Sequence, residues 1–287
     1  MSDVTRLAEE LVAWFDRSQS YAVALSGGVD SAVVATAARS VDPQTLAVTA
    51  RSPSVAQQEL RDASQLAAQI GVRHEFVEPQ ELDDSAYQRN DARRCYFCKS
   101  RLYAAIAAGY PERIILSGTN FDDLRDYRPG LQAAAEAQVR APLAELRINK
   151  AQVRQLAQHW GLHLADKPAS PCLASRIAHG VPVTEARLQR IERAEQWLRG
   201  LGLLEFRVRL HADDAARIEV PLADLPALLA PPTRESLVAA FKELGFRYVT
   251  VDLEGFRSGS LNPLFQFGPP RSPFSYFRLV VGGFWRV

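Results

Sequence analysis

The sequence predicts an α/β protein: a doubly wound, Rossmann-like parallel sheet followed by a smaller α+β domain. Three observations carry that prediction. Short apolar runs alternate with helical patterns over roughly the first 165 residues, as βαβ units do. The Pro-bearing stretch "DKPASPCLASRIAHGVPVT" (166–184) then breaks all periodicity. Beyond it the spacing changes, and strands follow one another more closely. A chain of 287 residues is long enough for two such domains.

The elements can be justified in order. Leu7, Leu11 and Phe15 recur at helical spacing and open the chain with an amphipathic helix. "YAVAL" (21–25) is a short apolar strand, and a helix on Val33, Val34 and Ala37 follows from about Asp30. "TLAVTA" (45–50) is a second strand, and "VAQQELRDASQLAAQIG" a second helix closed by Gly71. "VRHEFVE" (72–78) and "RIILSGTN" (113–120) supply the third and fourth strands. "NKAQVRQLAQHWG" (149–161) is a helix with Asn149 as N-cap. After the irregular stretch come a helix (184–199), strands near 204–210 and 216–220, a helix (233–244) and the strand "RYVTVDL" (247–253). The expected units are therefore residues 1–170, a linker at 171–183, a small domain at 184–262, and a tail at 263–287. The tail has seven aromatics, four Pro and no acids, and no chemistry can be assigned to it.

Composition narrows the classes. A net charge of +1 gives no global reason to expect a nucleic-acid partner. No apolar run reaches the roughly 18 residues of a membrane span. The opening "MSDVTRLAEELVAWFDR" carries acids at helical spacing, unlike a secretory leader. Three cysteines suit no closed disulfide framework, so a cytoplasmic location with reduced thiols is expected.

The first chemistry lies in "SGGVDS" (26–31), between a strand and a helix. Gly27 and Gly28 let the main chain approach a ligand closely. The amides of the turn and of the helix start form an anion site. Ser26 and Ser31 add hydroxyls. Asp30 beside a phosphate would repel it unless a cation lies between, which points to magnesium. No Gly-Lys-Ser/Thr follows, so this is not a Walker A loop. The hexapeptide resembles the PP-loop of the ATP pyrophosphatase superfamily. That resemblance implies ATP split to AMP and pyrophosphate, with an oxygen of the substrate adenylated.

The second chemistry lies in three cysteines: Cys95 and Cys98 in "RRCYFCKSRLY", and Cys172 in "ASPCLASR". The flanking arginines and Lys99 favour thiolate. Zinc completed by a histidine, a redox pair, an iron–sulfur cluster and buried thiols all remain open on spacing alone.

Taken with "SGTNFDDLRDYRPG", "VRAPLAEL", "FRVRLHADDAARIEV" and "YVTVDLEGFRSGSLN", these stretches resemble one family, the ATP-dependent sulfur transferases that help make the nickel-pincer nucleotide cofactor of lactate racemase. The resemblance runs from about residue 5 to 262. It implies that both carboxylates of pyridinium-3,5-biscarboxylic acid mononucleotide are adenylated and converted to thiocarboxylates. It also implies a 4Fe-4S cluster on Cys95, Cys98 and Cys172 that carries an extra sulfide; the alternative is a sacrificial Cys172 that loses its own sulfur. A sulfide source, a small nucleotide substrate and a homohexamer are implied as partners.

Other residues follow from position and resemblance. Thr119, Asn120, Asp122, Asp123 and Asp126 follow the fourth strand, where ligands bind. Either Asp123 joins Asp30 in holding magnesium, or these acids cap the next helix and face solvent. Arg128 lies beside them. Ser175 and Arg176 could position a nucleotide or substrate phosphate. Arg207 and Arg209 share one strand face, which is either a binding face or a solvated one; the resemblance puts Arg207 and Glu219 near a substrate phosphate or second metal. "IAHG" after Arg176, and one extra residue in "HADDAARIE", depart from the family pattern. The rival readings are a PP-loop tRNA thiolation enzyme, which would need a basic RNA-binding surface, and a non-catalytic nucleotide- or iron-binding module.

Overall fold

In the computed structural model, residues 3–125, 129–163, 171–257 and 260–261 are described. Asp126, Arg128, Asn262 and the tail, on which the sequence raised expectations, lie outside them. The first sheet has four parallel strands: β1 (Tyr21–Ala24), β2 (Leu46–Ala50), β3 (Arg73–Val77) and β4 (Ile114–Leu116), in the order β3-β2-β1-β4. Register pairs Ala22 with Leu46 on one side of β1 and with Ile115 on the other. A strand with neighbours on both sides and helices on both faces must be apolar throughout, and Tyr21, Ala22 and Val23 are all buried.

On one face pack α1 (Asp3–Ala13) and α2 (Val29–Val41), with α3 (Gln57–Ile70) beside them. The short α4 (Ser85–Gln88) leads into α5 (Arg94–Gly109), which covers the other face through Leu102, Tyr103 and Ile106. Next come α6 (Pro129–Glu136), α7 (Pro142–Glu145) and α8 (Lys150–His159). Asn149 closes a capping box with Gln152 at the start of α8. Each fully buried Val or Leu in these layers contributes about 1.5–3 kcal/mol.

The second sheet is small: β5 (Arg207–His211), β6 (Ala215–Glu219) and β7 (Tyr248–Val251). β5 and β6 are antiparallel, whereas β6 and β7 are parallel. α9 (Glu185–Gly200) and α11 (Pro231–Glu243) pack on it, with the short α10 (Leu225–Leu229) between β6 and α11.

Two features differ from the sequence reading. β4 ends at Leu116 rather than running to 120, and the chain turns toward the start of α2. A Cβ on Gly118 would lie 2.5 Å from the Ser31 amide, so only glycine permits this approach. The stretch 171–183 is also firmly packed. Leu173, Ala174, Ile177 and Val183 are buried, and Ile177 pairs with Leu210 of β5. Among the described residues, no helix is long and apolar enough to cross a membrane.

Candidate active site

The Gly-rich turn sits at the carboxyl end of β1, where a parallel sheet presents ligands. Gly27 has φ +76°, a left-handed conformation that favours glycine. Gly28 is the N-cap of α2 and offers no side chain, so the first amides of the helix are left for a ligand. The Ser31 hydroxyl faces inward. It donates to the Gly28 carbonyl at 3.0 Å and accepts from the Ser26 amide at 3.2 Å, so it shapes the turn rather than offering a free donor. Asp30 accepts from the Asn120 carboxamide at 3.0 Å and is ion-paired with the Lys150 ammonium. The cation beside Asp30 is thus a lysine 120 residues away, which sequence spacing did not reveal.

The residues after β4 serve this arrangement. Thr119 accepts from Ser117, while Asn120 accepts the amides of Asp122 and Asp123. Asp123 accepts from the Asn120 amide. Asp122 caps α8 by accepting from the Lys150 amide at 2.9 Å. Capping therefore accounts for Asp122.

Ser26 opens onto a cavity of about 840 Å³ between the two sheets. Cys95, Cys98 and Cys172 all line it, as do Ser175, Arg176 and Arg207. Cys95 and Cys98 lie in the first turns of α5, to which the sequence reading assigned no element. Cys95 and Cys172 are exposed and Cys98 is half-buried. Burial, reinforced by Cys172, pushes the Cys98 thiol up to about 12. That overturns the expectation of thiolate at Cys98: desolvation outweighs the neighbouring Lys99. The three thiols share a cavity, yet among the described residues no three His, Cys, Asp or Glu are arranged to hold a metal ion. As placed, they do not fit a cluster.

Ser175 and Arg176 are occupied with Cys172 itself. The Ser175 hydroxyl donates to the Cys172 carbonyl at 2.7 Å, and Arg176 donates to it at 3.1 Å. Arg176 also forms a buried pair with Glu195 of α9, at 3.0 Å and 3.3 Å. Glu195 was missed by sequence reasoning, because nothing in α9 marks it apart from other helical acids.

On β5, Arg207 and Arg209 do share a face, but it is not solvated. Arg209 is 6% exposed and bonds the fully buried Glu219, which also takes Arg217 and the Ser260 hydroxyl. Glu219 is absent from the cavity lining; it holds Arg209 there. Arg207 stacks over Phe256 at 5.1 Å and donates to the Phe206 carbonyl. Burial, then the neighbouring Arg176, lowers its pKa. A guanidinium suits a phosphate or carboxylate through its bidentate fork.

The asparagine synthase family profile matches residues 11–93, which include the turn. An uncharacterized protein of Synechocystis sp. is 46% identical over 260 residues, covering 88% of this chain and 96% of its own length. The pyridinium-3,5-bisthiocarboxylic acid mononucleotide synthase of Lactiplantibacillus plantarum is 37% identical over 257 residues, covering 88% of this chain and 92% of that protein. The chain belongs to the family of that synthase. An uncharacterized protein of Methanocaldococcus jannaschii is 26% identical over 245 residues, covering 84% and 92%. The synthase family thus accounts for nearly the whole length, whereas the asparagine synthase match stops just before the first cysteine.

Proposed function

We propose that this protein is an ATP-dependent sulfur transferase that converts the carboxylates of pyridinium-3,5-biscarboxylic acid mononucleotide to thiocarboxylates. The observation that carries the reading is one cavity lined by Ser26 of the Gly-rich turn, by all three cysteines, and by Arg176 and Arg207. Kinship with the synthase supports the substrate.

A carboxylate resists attack because its oxygen is a poor leaving group. In the first step a carboxylate oxygen attacks the α-phosphorus of ATP and pyrophosphate departs. The amides of Gly27, Gly28 and the α2 N-terminus hold the phosphates, with Ser26 at the cavity edge. Asp30 would hold a magnesium ion that neutralises phosphate charge, and Lys150, which now pairs with Asp30, would be free to meet phosphate. Asn120 keeps Asp30 in place; Thr119 and Asp123 support that edge. Arg207, with Arg209 behind it, receives the nucleotide's phosphate. In the second step a sulfur nucleophile adds to the acyl carbon and AMP leaves with the bonding electrons.

The sulfur comes by way of Cys95, Cys98 and Cys172. Their shared cavity supports that assignment. Cys172, exposed and held by its carbonyl, is the candidate direct donor: its thioester would lose the Cα proton and break the Cβ–S bond, leaving dehydroalanine and releasing the thiocarboxylate. A 4Fe-4S cluster on the same three residues would instead carry the sulfide on an open iron, although the thiols as placed form no metal-binding group among the described residues. Anaerobic iron and sulfide analysis separates the two routes. Iron and labile sulfide near four each support the cluster, whereas loss of one sulfur mass at Cys172 per turnover supports the sacrificial route.

The test of the reaction is pyrophosphate release with the biscarboxylate nucleotide, followed by mass analysis of the product. Release that depends on this nucleotide, with a gain of sulfur for oxygen, is the expected outcome. No release with any divalent metal would sink the proposal.

A further inference from the structure

A buried polar group ties the nucleotide half to the cysteine-bearing segment, and none of its side chains belongs to the turn or to the thiols. Asn90 is fully buried in a left-handed conformation, φ +55°. Its carboxamide donates to the carbonyls of Ala178 and Val181, both at 2.9 Å, and of Ile177 at 3.3 Å. Its side-chain oxygen accepts from Arg94, and Arg94 also donates to the Ala174 carbonyl at 2.8 Å. Arg94 immediately precedes Cys95 in the first turn of α5. On the other side of the segment, the Leu173 amide donates to the Ser54 carbonyl at 2.8 Å. The Ser54 hydroxyl meets the Tyr87 phenol at 2.6 Å, and Tyr87 is 1% exposed.

Such bonding is costly to arrange without purpose. Each buried polar group must find a partner or lose about 1–3 kcal/mol. An apolar core would have joined these elements at no such risk. What the polar version adds is a fixed address: Cys172 followed directly by bonds at Leu173 and Ala174, and Cys95 next to the guanidinium that makes one of them.

We propose that Asn90, Arg94 and the Tyr87–Ser54 pair are positioning residues that hold Cys172 against Cys95 and Cys98, so that an activated carboxylate meets sulfur before it meets water. This rests on the sulfur transfer proposed above. An acyl adenylate that is not captured is hydrolysed: water adds to the acyl carbon, AMP leaves, and the original carboxylate is regenerated. A loosened clamp therefore leaves pyrophosphate release running and lowers the yield of thiocarboxylate per pyrophosphate.

The experiment compares Asn90→Ala and Tyr87→Phe with the unaltered protein, measuring pyrophosphate and thiocarboxylate together. We expect the product-to-pyrophosphate ratio to fall by about fivefold or more, with pyrophosphate release within about twofold. A ratio that does not change, or two activities that fall in step, overturns the proposal, because a purely structural role lowers both alike. A second measurement needs no activity. A short bis-maleimide should bridge Cys172 to Cys95 or Cys98 in the unaltered protein, mapped by peptide mass. In Asn90→Ala the bridged fraction should fall at least about threefold while total thiol labelling stays constant. Equal bridging in both overturns the clamp even if the sulfur transfer stands. An unaltered protein that releases no pyrophosphate overturns the sulfur transfer while the bridging result still judges the clamp.

Discussion

The turn at 26–31 and the segment at 171–176 face the same cavity but are built in opposite ways. The turn is local. Ser26, Gly28 and Ser31 bond one another within five residues, and its backbone amides are the proposed phosphate grip. The cysteine segment is held from a distance: Leu173 by Ser54, Ala174 by Arg94 and Arg176 by Glu195. Phosphate is recognised by a shape the backbone can make from consecutive residues. A reactive sulfur must be aimed, and aiming takes side chains from several elements.

The comparison can be broken from either side. Its strongest form is Cys172→Ala, expected to reduce thiocarboxylate formation by about a hundredfold or more while pyrophosphate is still released. Loss of both activities together would mean the halves are not separable. Gly118→Ala strikes the turn, since the new Cβ meets the Ser31 backbone. Overpacking of this kind costs about 1–3 kcal/mol, read as a lower melting temperature and weaker ATP binding; an unchanged ATP affinity would show that the turn yields. Lys150→Met removes the cation beside Asp30 and should weaken ATP binding about tenfold, near 1.4 kcal/mol, as calorimetry would show. Alkylation at pH 8 should reach the exposed Cys95 and Cys172 about tenfold faster than Cys98, whose thiol burial pushes above its ordinary range. Equal rates would mean Cys98 is not desolvated. The smallest effect belongs to Thr184→Ala, which removes the N-cap of α9. It should cost about 1 kcal/mol in stability and leave the product-to-pyrophosphate ratio unmoved.

Legibility follows the same division. The strands of the first sheet and the Gly-rich turn could be read because each is dictated by residues a few positions apart. α5 could not, because only a few of its residues, Leu102, Tyr103 and Ile106 among them, bury against the sheet while its first turns face the cavity. Lys150 was hidden because its partner lies 120 residues away, and Asn90 because its carbonyl partners lie 87 to 91 residues away. Arg209 was recognised as a charge on a strand, but its burial depends on Glu219 across the ladder and on Ser260. Spacing shows which residues share a face; it does not show what that face is pressed against.

Fixing the sulfur post has a consequence for the substrate. The pyridinium ring of the proposed substrate carries two carboxylates related by a half-turn about its nitrogen–C4 axis, but the cavity offers one turn and one Cys172. With both ends anchored, neither can travel to the second carboxylate. The ring itself must rotate about its glycosidic bond, or leave and return reversed. On the proposed reaction, a nucleotide with one sulfur and one untouched carboxylate therefore stands between the two rounds, and it is released only where the ring leaves and returns reversed.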